Sequence, residues 1–123
     1  MLAIAAALPL LNRSEQLLYG RLVRAFPGHI ILSHIAISAS FTADFVICKS
    51  DFTPLAVVEI DEDASPKDSE RETNRRQDLS LQAAGLKVIR LIVNDLPDEA
   101  ALRALVAAHP LDRSTEQLMR RAS

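Results

Sequence analysis

Residues 54–65 read PLAVVEIDEDAS, and this stretch decides the fold. From Leu55 to Ile60 it is apolar apart from Glu59, as a buried β-strand would be, and Asp61, Glu62 and Asp63 follow at once. A carboxylate inside such a strand is costly unless it is paired, hydrogen-bonded or bound to a metal. Glu59 and Asp61 therefore need a partner, a site or a solvated strand end.

Working outward, FTADFVICK (41–49) is a second apolar strand, and the SDFT between the two reads as a tight hairpin turn. A hairpin centred between Asp51 and Phe52 sets Asp44 directly opposite Glu59, with Cβ atoms about 4.5–5.5 Å apart. Asp61 lies two residues beyond Glu59 and shares its face. Three carboxylates then converge on one patch, which a divalent cation would neutralise. Magnesium takes oxygen ligands, keeps several waters and commonly uses one or two carboxylates plus substrate phosphate oxygens. Held that way, it activates water and stabilises charge on a phosphodiester. The alternative is that Asp44 merely starts a strand and that Glu59 to Asp63 form a solvated strand end.

The rest of the chain supplies the frame. SEQLLYGRLVRAF (14–26) places Leu17, Leu18, Leu22, Val23 and Phe26 at helical spacing, with Ser14 as its cap and Pro27-Gly28 as its stop. HIILSHIAI (29–37) and KVIRLIV (87–93) are strands. SPKDSERETNRRQDLSLQAAG (65–85) is a polar helix with Ser65 as cap, Pro66 at its first position and Gly85 at its end. PDEAALRALVAAH (97–109) is an amphipathic helix starting at Pro97. The order is α-β-β-β-α-β-α, in one domain over residues 12–110. An apolar segment (1–11) precedes it and a tail (111–123) with a short helix-like stretch follows.

A chain of 123 residues suits a single core. With 4% aromatic residues and no Trp, it lacks a stacking platform for single-stranded nucleic acid. A net charge of −2 excludes a strongly basic binding module but not a local basic surface. The lone Cys48 forms no internal disulfide, reads as a small core residue, and points to a cytoplasmic compartment. Residues 2–11 are too few to cross a bilayer and lack a basic flank, so no stable membrane insertion is expected. His29, His34 and His109 show no metal-ligand spacing and read as structural.

Four motifs occur in order: Glu15-Gln16-Leu17-Leu18-Tyr19, Asp44-Phe45-Val46, Val58-Glu59-Ile60-Asp61, and Ala84-Gly85-Leu86 running to Arg90. Together they resemble the PD-(D/E)XK nuclease superfamily, and within it the bacterial family called domain of unknown function 2726. The resemblance spans roughly residues 12 to 95. It implies an α/β, restriction-endonuclease-like αβββαβ core, a mixed sheet flanked by helices, with an extra C-terminal helix. It also implies magnesium- or manganese-dependent hydrolysis of nucleic acid, DNA ahead of RNA.

Carried over by position, Asp44 and Glu59 are metal ligands. Glu15 is either a third ligand or a helix-capping partner. Asp61 stands where other members carry the motif lysine, and orients the metal or its water. Gln77 assists catalysis, while Arg71, Arg75 and Arg76 contact phosphates. The chain departs from the pattern in having no His within residues 62–66, and in carrying Asn74 and Gln77 where Asp and Lys are usual. These departures fit the alternative of a catalytically degenerate fold that binds nucleic acid or a protein partner.

Overall fold

The structure is a computed structural model that describes residues 8–62 and 66–108. In chain order its elements are α1 (Arg13–Ala25), β1 (Ile30–Ser38), β2 (Phe41–Cys48), β3 (Pro54–Asp61), α2 (Asp68–Ala83), β4 (Lys87–Ile92) and α3 (Glu99–Ala107). The four strands form one mixed sheet in the order β1-β2-β3-β4. The first three are antiparallel, and β4 joins β3 in parallel after the α2 crossover. The chain is thus a mixed α/β protein with the expected element order. Ser65, His109, the tail 111–123 and part of segment 1–11 lie outside the described residues.

Strand alternation sorts the sheet into two packing layers. Phe45, Ile47, Ala56, Val58, Ile89 and Leu91 pack on Leu18 and Leu22 of α1 and Leu102 of α3. Val46, Cys48, Val57 and Val88 face the other way, onto Leu81 of α2 and Leu86. Cys48 is buried, as expected of a small core residue.

The helix ends correct three expectations. Asn12, not Ser14, caps α1: its side chain accepts from the Glu15 N–H, and Glu15 Oε1 accepts from the Asn12 N–H. This reciprocal pair satisfies two amides that a helix start leaves free. Pro66 precedes the cap of α2, which is Lys67, and Pro97 precedes Asp98, which caps α3 through the Ala101 N–H. Each proline fixes the approach to a helix rather than its first turn.

α2 has a single buried residue, Leu81, so its own periodicity cannot dock it firmly. Its C-terminus compensates. Gly85, at φ +88°, lets its N–H donate to Gln82 O and the Leu86 N–H to Leu81 O. Leu86 and Leu81 then share one apolar cluster. This left-handed closure turns the chain directly into β4.

Candidate functional site

The β2–β3 register pairs Phe45 with Val58, which sets Asp44 level with Glu59 as the hairpin argument expects. The regular ladder ends there, and side chains take over. The Asp44 N–H donates to Glu59 Oε2 at 2.8 Å, and the Ile60 N–H donates to Asp44 Oδ2 at 2.8 Å. Each carboxylate thus replaces a backbone carbonyl, keeping its second oxygen outside these bonds. Glu59 is 7% exposed and is the one buried charged residue among those described.

Its burial raises the Glu59 pKa to about 8, and the like charge and shared hydrogen bond of Asp44 push the same way. The Asp44 N–H and the charge of Arg90 only partly oppose this. Two carboxyl groups this close favour one shared proton or a cation between them.

Asp61 takes another path. β3 and β4 pair Glu59 with Arg90, and the Arg90 Nη1 donates to Asp61 Oδ1 at 3.0 Å. The Nε and Nη2 of Arg90 grip Asp78 of α2 at 2.8 to 3.2 Å. The burial of Arg90 works against its charge, but Asp78 and Asp61 outweigh it and raise its pKa. The structure therefore brings Asp44 and Glu59 together and ties Asp61 to an arginine. Among the described residues, no group of three or more His, Cys, Asp or Glu side chains forms a metal-ligand cluster.

Glu15 reaches the site from α1. Its Oε1 serves the cap, and its Oε2 lies 2.7 Å from His34 Nε2. The burial of Glu15 opposes its charge, yet the Asn12 N–H and His34 together hold its pKa below the usual value. It lines a polar cavity of about 290 Å³ with Asn12, Ser14, Asp44, Ile60 and Glu62. Its capping role is realised, and the same carboxylate faces the cavity that Asp44 faces.

His34 has more than a structural place, bonding Glu15 at the edge of the site. It adopts φ +50°, in the left-handed region that is strained for a residue with a side chain. The flanking pairs Ser33 with Phe45 and Ile35 with Ala43 set it level with Asp44. One transverse row of the sheet therefore carries His34, Asp44, Glu59 and Arg90. Sequence offered a signal for Arg90 alone: a charge flanked on both sides by apolar residues within KVIRLIV demands a carboxylate partner.

The helical candidates lie apart from the acid pair. Asn74 lines a cavity of about 450 Å³ with Ile60, Asp61, Glu70 and Thr73. Gln77 lines a different, largely apolar space of about 330 Å³ with Phe41, Arg76, Leu81 and Leu86. Arg75 and Arg76 are exposed and both approach Glu72, at 3.7 and 3.1 Å. Arg71 is exposed on the same helix. Such surface pairs are weak and exchange readily.

The sequence profile of the family described as protein of unknown function (DUF2726) matches residues 35–109, more than half of the chain. The chain belongs to this family. The DUF2726 match takes in Asp44, Glu59, Asp61, Asp78 and Arg90, and begins after α1 and His34. No curated protein and no solved structure matches significantly. Among the described residues no helix is long and apolar enough to cross a membrane.

Proposed function

We propose that this DUF2726 chain is a restriction-endonuclease-like, PD-(D/E)XK-type domain that hydrolyses nucleic-acid phosphodiesters with a magnesium or manganese ion held by Asp44 and Glu59. The observation that carries this reading is the Asp44–Glu59 pair, with Glu59 buried and Asp44 half-buried. A merely structural pair of acids on a sheet would more economically be one acid and one amide. Two carboxylates in contact, each steadied by a backbone N–H, form an oxygen-only donor set that fits a hard cation.

Such an ion would supply an activated water and charge stabilisation at the phosphorus. The chain's own residues would do the rest. Asp44 and Glu59 fix the ion's position, and the backbone bonds hold their carboxylates in place. Asp61, steadied by Arg90, orients water at the edge of the site. Arg71, Arg75 and Arg76 are exposed on α2, where Arg75 and Arg76 would exchange Glu72 for phosphate oxygens. Gln77 would assist from α2.

A second reading is a degenerate nuclease fold that binds nucleic acid, or a protein partner, without cleaving. The engagement of Arg90 by Asp61 and Asp78 favours it, because that guanidinium is then committed to carboxylates. Fluorescent DNA and RNA oligonucleotides incubated with manganese separate the two. The first reading expects slow cleavage, lost in Asp44→Ala and unchanged or faster in Gln77→Lys. Manganese binding without cleavage by the parent favours the second.

A further inference from the structure

We infer that Arg90 is a positioning residue that sets the number of carboxylates available to a cation, by drawing Asp61 away from the Asp44–Glu59 pair. The inference rests on the metal reading above but concerns cation affinity rather than turnover. Three observations carry it. Glu59 and Asp61 are separated by one residue on β3 and share a face, so a free Asp61 would lie within reach of an ion at Glu59. The parallel register sets Arg90 level with Glu59, on the strand beside both acids, and its Nη1 reaches Asp61.

Asp78 then fixes the direction of the fork. It takes Nε and Nη2, so Nη1 is the edge left for Asp61, and it is there that Asp61 binds at 3.0 Å. The guanidinium is planar and rigid, so holding one edge aims the other. Both acids and the arginine are about three-quarters buried, which spares the contacts from solvent competition. A lysine has no such fork and cannot hold two carboxylates in fixed directions.

A site left with two carboxylates holds its cation loosely until other oxygens complete the shell. Removing Arg90 both frees Asp61 and deletes a positive charge that repels the ion. Each change should tighten cation binding.

Manganese titration by calorimetry tests this on the parent and four variants at one pH. Asp61→Asn should bind within about twofold of the parent, because Asp61 is not a ligand there. Arg90→Gln should bind on the order of tenfold tighter, as expected for one more acid within 4–6 Å of a charge. The double variant Arg90→Gln/Asp61→Asn should lose most of that gain. Arg90→Lys, which keeps the charge, guards against misfolding and should fall between the parent and Arg90→Gln. A purely structural ion pair would leave affinity unchanged in Arg90→Gln, and that result overturns the inference. A large loss in Asp61→Asn alone also overturns it. Tightening in Arg90→Gln without oligonucleotide cleavage by the parent would uphold the inference while removing the nuclease reading. Absence of manganese binding in all five proteins would remove both.

Discussion

Asp44 and Glu59 close the β2–β3 ladder with their side chains: the amide of Asp44 bonds Glu59, and the amide of Ile60 bonds Asp44, both at 2.8 Å. Two acids are thereby built into the backbone hydrogen bonding of the sheet, and their protonation becomes part of fold stability.

The first consequence is a pH slope. The folded pKa of Glu59, about 8, lies above its ordinary value of 4.5. The favourable contribution is therefore complete below about pH 4.5 and is lost as pH rises through about 8. Glu59→Gln keeps the shape and an accepting oxygen but cannot ionise. Urea unfolding at pH 5, 7 and 9 should show the parent losing stability relative to Glu59→Gln as pH rises. A constant difference across that range contradicts the assignment.

A cation should replace the proton. With manganese at about 100 times its Kd, linkage stabilises the fold by about 2.7 kcal/mol. For a domain of this size that raises Tm on the order of 10 °C. Differential scanning calorimetry should show the rise in the parent and little of it in Glu59→Gln.

The Asp78 contact should matter to stability as well as geometry. Asp78→Ala leaves the Arg90 fork half-satisfied in a mostly buried setting. The expected cost is about 1–3 kcal/mol, below that of a fully buried pair because a quarter of each side chain meets solvent. Chemical denaturation measures it directly.

The acid pair was legible because it depends on local geometry. β2 and β3 are joined by the short Lys49–Thr53 turn, closed by Lys49 N–H to Thr53 O and Phe52 N–H to Lys49 O. Once that turn is recognised, alternation places Asp44 opposite Glu59. The diversion of Asp61 was not legible, because Arg90 arrives on a parallel strand beyond the whole of α2. Nothing in strand periodicity chooses among acids for a distant arginine. His34 was missed for a different reason: the lack of metal-ligand spacing says nothing of its place in the sheet, and its positive φ is not readable from strand periodicity. The cap at Asn12 was displaced by two residues from Ser14, since either type caps well and only the Glu15 bond decides.

That cap offers a further check, because Glu15 joins the helix start to His34. Asn12→Ala should cost about 1 kcal/mol of stability in denaturant unfolding. Asn12→Asp should restore most of it, since the new carboxylate accepts from the same amide. No difference between Asn12→Ala and the parent would mean that the capping pair carries no weight in solution.

The central claim is that Asp44 and Glu59 together hold a divalent cation. Crystals soaked in manganese and measured at a wavelength with strong manganese anomalous scattering test it most directly. The account predicts one anomalous peak beside the Asp44 and Glu59 carboxylates, with Asp61 still on Arg90. A peak seated instead among Asp61, Glu70 and Asn74, or no peak between Asp44 and Glu59 at saturating manganese, would contradict it.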